Sequence, residues 1–240
     1  MKICIIGKTD FTREFPGKAE GSAFEQRYWE SFDLVHEEPG DSEGQTLIEF
    51  AGRLCYESWD MPNPKTATNS GYIGNIIFQG HESVLEHVSV TFYVEGVSRN
   101  LSHELIRHRH LSFSELSQRF VDMEEANWLL PPAMAEIATR DGWQNSDFAD
   151  DAVSMYSDTV ADLLAEGKTR KQAREAARAI LPSGMETKFV VTGNLRAWRD
   201  VLKKRDSEHA DAEMQLFAKE VKRQLLKEYP DVFKDLDEGS

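Results

Sequence analysis

The chain has 240 residues, enough for one large domain or two small ones with a buried core. It carries 42 acidic against 28 basic residues, a formal charge of −14, and such a field repels a phosphate backbone and speaks against DNA or RNA as a partner. No apolar run reaches the roughly 18 residues of a membrane span, and no charged-then-apolar leader opens the sequence, so a soluble cytoplasmic protein without a membrane partner is expected.

Residues 1–7 (MKICIIG) read as a short buried strand, and the Pro-, Gly- and acid-rich stretch 15–44 as a surface excursion. The two cysteines, Cys4 and Cys55, lie in apolar surroundings and read as buried free thiols, too few for a disulfide framework or a four-thiolate metal site. Residues 45–58 have helical spacing through Leu47, Phe50, Leu54 and Cys55, and a second helix runs from a good N-cap to about Gln79, where Gly80 stops it. After HESVLEH (81–87), Val88, Val90, Phe92 and Val94 alternate with Ser89, Thr91 and Tyr93, the pattern of a half-buried strand.

From Ser98 the pattern turns helical. At ~100° per residue Arg99, His103, Ile106, Arg107 and His110 share one face, with Leu101, Leu105 and His108 opposite. Residues 124–150, with Pro131, Pro132 and Gly142, read as a loop before a helix over 148–166. Thr169 can cap the next helix, on which Lys171, Arg174 and Arg178 form a cationic stripe that Pro182 ends. KFVVT (188–192) reads as a strand, Gly193-Asn194 as a turn, and Leu195, Trp198, Val201 and Leu202 as the apolar face of another helix. A last amphipathic helix runs to about Glu228, before Pro230 and an acidic tail over 231–240. Few strands and many helices, with no internal repeat, predict an α+β fold in a single domain, 1–240.

Three clusters carry candidate chemistry. RHRHLSFSELSQRF (107–120) concentrates Arg107, Arg109 and Arg119 with three serines, forked cations and neutral donors that suit a small phosphorylated ligand. Pairing of these arginines with surface acids is the alternative. His103, His108 and His110 could ligate a metal, but the adjacent arginines would repel a dication, so no metal is expected. In HESVLEH, a zinc-protease spacing would need histidine at 85 or 83, where Leu85 and Ser83 stand; Glu82 and Glu86 could be acids or bases, or simply a solvated turn. In the third cluster, 192–213, Arg205 and His209 fall at i and i+4 on a predicted helix, Asn194 and Arg196 follow a strand-to-helix turn able to present N–H groups to an anion, and Arg196, Arg199, Lys203 and Lys204 read as a solvated face. Neither GxGxxG nor GxxxxGK[ST] occurs, so a cofactor has to be held in another way.

Arg-His-Arg at 107–109, seven intervening residues, then Ser117 and Arg119, resembles the signature of the flavin-dependent thymidylate synthases, and HESVLEH, ARAILP, TGNLRAW and RDSEHADAE fall in that family's order around it. The resemblance spans about 47–218. It implies a mixed α/β domain with a small antiparallel sheet and several long helices, and methylation of deoxyuridine monophosphate to thymidine monophosphate. The one-carbon unit would come from methylenetetrahydrofolate and the hydride from NADPH through FAD. It further implies a homotetramer with sites shared between subunits.

By the same resemblance, Arg99, Glu104, Arg107, Glu115, Ser117, Gln118, Arg119, Lys171, Arg178 and Arg205 would meet the nucleotide. FAD would be held by Ser83, Arg107, His108, Arg109, Asn194 and Arg196, with His81, Glu86, Glu115 and His209 in support. Arg205 would face the pyrimidine as a fixed positive charge, a role that suits a guanidinium that stays protonated at neutral pH. Neither cysteine has a histidine adjacent in sequence, so no thiolate attack is expected. Phe120, Ser114 and Asp200 depart from the family pattern. Two other readings use the same anion pocket: a nucleotide sensor without chemistry, and a flavoenzyme with another acceptor.

Overall fold

Alternating Val90, Phe92 and Val94, all inaccessible to solvent, place one face of strand β2 (Ser89–Ser98) in the core, and the sheet is built outward from that strand. The computed structural model describes residues 1–12, 42–59, 63–141 and 149–237; the predicted excursion 15–44 falls outside them except for 42–44. Strand β1 (Lys2–Lys8) pairs with one side of β2 and β4 (Glu186–Asn194) with the other, and β3 (Ser112–Glu115) lies beyond β4, giving the order β1-β2-β4-β3.

The register is antiparallel throughout, as the paired residue numbers show. Lys2 meets Glu95 and Thr9 meets Ser89; Arg99 N–H donates to the Met185 carbonyl and Leu195 N–H to that of Val88; Glu115 meets Thr187 while Phe113 meets Phe189. In each case one index rises as its partner falls. The α+β class and small antiparallel sheet expected from the sequence are present.

The chain divides into two compact units. One comprises Met1–Cys4, Phe92–Val191 and Arg205–Ala218; the other comprises Ile5–Thr91, Thr192–Lys204 and Lys219–Ser240. Strands β1, β2 and β4 contribute residues to both.

In the first unit, helix α3 (Arg99–Leu105) starts where Ser98 caps the Leu101 N–H, and Glu213 in turn accepts from the Ser98 hydroxyl and N–H. The predicted face holds for Leu101 and Leu105, both buried, but the helix stops at Leu105, so His110 belongs to no helical face. The stretch 124–150 is not all loop: Pro132–Asp141 forms α4. Pro132 is its first residue, where the missing N–H costs nothing, so the proline pair that suggested a break marks a start. Helix α5 (Asp150–Ala165) packs on α6 (Arg170–Ala177), and α6 opens with a complete capping box between Thr169 and Gln172. Tyr156 of α5, Ala177 of α6 and Met123 form a buried cluster at about 1.5–3 kcal/mol per large apolar side chain.

In the second unit, α1 (Glu43–Leu54) is capped by Ser42 and α2 (Asn69–Phe78) by Thr68, and Gly80 with φ +71° ends the second where L-residues are strained. Of the predicted face, Phe50 of α1 is buried and Leu47 half-buried, while Leu54 and Cys55 are exposed because the helix ends there; Ile48, not predicted, is fully buried. Gly193-Asn194 is no turn: β4 runs through Asn194, whose Oδ1 accepts from Ala197 N–H and so starts α7 (Leu195–Arg205) directly. All four predicted apolar residues of α7 are buried, and the Trp198 indole donates to the Val90 carbonyl.

Helix α8 (Ala212–Glu228) leads to a short α9 (Pro230–Phe233) and a 3₁₀ turn, Lys234–Leu236. The predicted acidic tail is therefore folded up to residue 237: Val232 and Phe233 are fully buried and Asp231 bonds Gln45, Ser70 and Lys234. The cysteines also differ from expectation. Both are exposed, Cys4 because β1 is an edge strand that turns Ile3 inward and its neighbour out.

Candidate active site

In the first unit, α3, the 112–119 segment and the turn after α6 converge on a cleft of about 380 Å³, within the size range of small-molecule sites. Arg99, Ser102, His103, Glu115, Gln118 and Arg178 line its polar part, Ile106, Leu181 and Pro182 its apolar part. Glu115 is the hub. One of its oxygens accepts from Arg99 (3.2 Å), Ser102 (2.9 Å) and Thr187 (2.9 Å), which fixes the carboxylate and holds Arg99 by a single N–H. The other donors of that guanidinium have no protein partner among the described residues. Gln118 is only 6% exposed and its Nε2 likewise has no partner among them, an arrangement that costs energy unless a ligand accepts from it. Arg178, exposed at the start of the 3₁₀ turn Arg178–Ile180, makes no ion pair among the described residues.

A second cluster in this unit surrounds Arg205. Its Nε–H donates to His108 Nε2 (3.0 Å) and Nη1 to Glu104 (3.1 Å). His108 must therefore present the Nε2 lone pair, a tautomer assigned from this geometry. Its two Nη2 donors and part of Nη1 have no partner among the described residues. Arg107, Arg109 and Arg119 are exposed and make no ion pair among the described residues, so the surface-pairing alternative is not met for them. Arg119 and Lys171 each lie 5.6 Å from the Phe120 ring centroid, so Lys171 sits on Phe120 and does not line the cleft.

Arg174 leaves the predicted cationic stripe. It is half-buried and binds Asp122 and the Phe120 carbonyl, both at 2.6 Å. Burial pushes the Asp122 carboxyl up, but Arg174 together with the Glu124 and Met123 N–H groups holds it below the usual range. Ser117 turns the chain, its carbonyl accepting from Phe120 and Val121. His209 follows α7 in an exposed turn and is not one helical turn from Arg205, because the helix ends at Arg205.

In the second unit, HESVLEH forms a 3₁₀ turn (Glu82–His87) anchored by the buried Leu85, with His81, Ser83 and Glu86 exposed. Glu86 pairs with Arg196 (2.6 Å) and Glu82 with Lys203 (3.2 Å), while Asp200 pairs with Lys204. The predicted solvated face fails at Arg199, which is 1% exposed and bound to Asp235 and Glu82. Burial opposes its charge, yet the two carboxylates hold its pKa above the ordinary value.

The family described as thymidylate synthase complementing protein matches residues 34–231. Flavin-dependent thymidylate synthases of Mycobacterium tuberculosis and Mycobacterium bovis are 51% identical over 201 residues, 81% of this chain and 80% of theirs. The chain belongs to the flavin-dependent thymidylate synthases. Among solved structures of the family, thymidylate synthase X from Helicobacter pylori with FAD and dUMP is 26% identical, with a TM-score of 0.58 over 80% of this chain and 93% of its own. A second structure of the H. pylori enzyme, 22% identical with a TM-score of 0.61, covers 98% of this chain and 99% of its own and supports the fold.

Of the residues that the family resemblance names for the nucleotide, the structure brings Arg99, Glu115, Gln118 and Arg178 to one cleft and puts Glu104 beside Arg205. Of those named for the flavin, Arg107, His108, Arg109, Glu115 and His209 belong to the first unit, and His81, Ser83, Glu86, Asn194 and Arg196 to the second. In the first unit, Arg107 and Arg109 are exposed and make no ion pair among the described residues, a donor chemistry that suits the phosphates of a flavin nucleotide. Sequence reasoning missed Arg199 and Asp235. One signal was present: Arg196, Arg199 and Lys203 repeat at i, i+3 and i+7, a stripe matched by Glu82 and Glu86.

Proposed function

We propose that the protein makes thymidine monophosphate from deoxyuridine monophosphate as a single synthase domain, 1–240, in a cytoplasmic homotetramer with shared sites. Methylenetetrahydrofolate is the carbon donor and NADPH the reductant. The observation that carries this reading is the cleft in which Arg99 and Arg178 retain donors with no partner among the described residues, beside the buried Gln118 Nε2, which likewise has none among them. Arg99 and Arg178 take the phosphate, and Ser117, Gln118 and Arg119 the phosphate and sugar, with Arg107 and Glu115 nearby. Lys171 adds charge from the side through Phe120.

Arg205 sets its Nη2 donors, unpaired among the described residues, beside the pyrimidine and stabilises negative charge developing there, while Glu104 and His108 keep it oriented. Ser83, Arg107, His108, Arg109, Asn194 and Arg196, with His81, Glu86, Glu115 and His209 in support, would hold FAD, which once reduced by NADPH would supply the hydride that turns the transferred methylene into a methyl group. No described helix is long and apolar enough to cross a membrane. Phe78 and Tyr56, 89% and 75% exposed, and Met155 and Leu216 offer apolar surface to the other copies.

Release of tritium from deoxyuridine monophosphate labelled at C5, with folate, FAD and NADPH omitted one at a time, tests the reading. Dependence on all three is expected, and release without FAD overturns it. The thiols take no part: replacing Cys4 and Cys55 together by serine should leave turnover unchanged, and a folded but inactive double variant would restore a cysteine mechanism.

A further inference from the structure

The 82–87 turn is gripped at both ends by α7, within the second unit. Glu86 meets Arg196, and Glu82 meets Lys203 and the Nε–H of Arg199 (3.4 Å). These contacts differ in weight. Arg196 and Glu86 are 50% and 47% exposed, and a pair so wet adds little. Arg199 is 1% exposed and cannot be left without its carboxylates.

The rest of its guanidinium is committed elsewhere. Nη1 and Nη2 close a bidentate fork on Asp235, each at 2.7 Å, and Nη1 also donates to the Val232 carbonyl. Asp235 sits in the Lys234–Leu236 turn directly after Val232 and Phe233, which are fully buried. The cation is thus fixed by α9 and the turn after it, and what remains of it fixes Glu82. The 82–87 turn has little of its own to keep it in place: it is a 3₁₀ turn, no side chain caps its start, and among its residues Leu85 alone is buried.

We infer that Arg199 and Asp235 are positioning residues for flavin binding. The buried ion pair sets Glu82, and Glu82 sets the exposed His81 and Ser83 on either side of it. This deepens the functional reading above and rests on it, because His81 and Ser83 matter here only as flavin contacts. It also gives the segment 230–237 a part in cofactor affinity.

A purely structural role is separated from a positioning one by Asp231. This carboxylate fastens the same segment through Ser70 (2.5 Å), Lys234 (2.8 Å) and Gln45 (3.1 Å), and it touches neither Arg199 nor Glu82. The test is FAD titration of the full chain, followed by flavin fluorescence, for wild type, Asp235→Asn, Glu82→Gln and Asp231→Asn, with a urea midpoint for each. Asp235→Asn and Glu82→Gln should raise the FAD dissociation constant about tenfold, with turnover regained at saturating FAD, while Asp231→Asn lowers the midpoint and keeps FAD affinity within about twofold.

Equal shifts in Asp231→Asn and Asp235→Asn would reduce the pair to general stability and overturn the inference. If Asp235→Asn does not fold, Glu82→Gln decides alone, since it leaves the Asp235 fork in place. Wild type that binds no FAD overturns the functional reading itself; wild type that binds it, with both carboxylate variants unchanged, overturns only the positioning role.

Discussion

Arg199 of the second unit spends its guanidinium on Asp235, Glu82 and a carbonyl in an environment 1% exposed, whereas Arg178 of the first unit lies exposed on the rim of a cleft with no ion pair among the described residues. Arg53 belongs with the former: Glu49, the Ser58 and Thr66 carbonyls and the Tyr72 ring surround it. Arg107, Arg109 and Arg119 belong with the latter. In the sequence Arg178 and Arg199 are alike, each one of a row of cations on a predicted helix. Partner saturation separates them: a cation whose donors are used up is part of the fold, and one whose donors remain open is available to an anion.

Arg205 stands between these extremes, and its replacement should have the largest effect. Arg205→Ala is expected to lower turnover about 10²–10³-fold at saturating substrate, the cost of removing one preorganised charge stabiliser, while FAD content is kept. Parallel loss of turnover and bound flavin would move it to the structural class. Next comes Arg199→Ala, expected to cost about 3 kcal/mol of stability by urea unfolding, as when a buried pair loses one partner. Loss of less than about 0.5 kcal/mol, the scale of a surface substitution, would break the comparison.

Arg178→Ala should do the reverse. Stability should stay within about 0.5 kcal/mol, while affinity for deoxyuridine monophosphate falls roughly 10- to 100-fold, the range for a charged hydrogen bond. Unchanged nucleotide affinity, measured by calorimetry, would remove Arg178 from the site.

How much of this could be read beforehand depended on the range of the interaction. Period-2 alternation in β2, the Thr169 cap and the apolar face of α7 are local and were legible. Arg199 was not, because its partners lie at 82 and 235 and only the fold brings them together. The exposure of Cys4 was hidden for a related reason: apolar neighbours suggested burial, but only the sheet order shows β1 to be an edge. Helix α4 was obscured by a proline pair read as a break. For the site, the family signature named residues in both units, while Ser102 and Thr187, which fix Glu115, carry no signature and emerged only from the geometry.

The smallest expected effect concerns acid. Burial pushes the carboxyls of Asp235 and Asp231 up, but Arg199 with a backbone N–H and Lys203 at the first, and Lys234 with Ser70 and Gln45 at the second, hold both below the ordinary aspartate range. The unfolded chain then binds protons that the folded one refuses, in the window from about pH 4, where a free aspartate titrates, down through the depressed folded values. Stability from these groups is therefore complete above about pH 4 and is lost as pH falls through that window. Urea midpoints at pH 5 and pH 3 should fall less steeply in an Asp231→Asn, Asp235→Asn double variant than in wild type. Part of the slope should survive, because Asp122 in the first unit, held by Arg174, is depressed in the same direction. If the double variant keeps the wild-type slope, the second unit owes its acid sensitivity to other groups, and the contrast between a saturated and an open arginine set would have to stand on exposure alone.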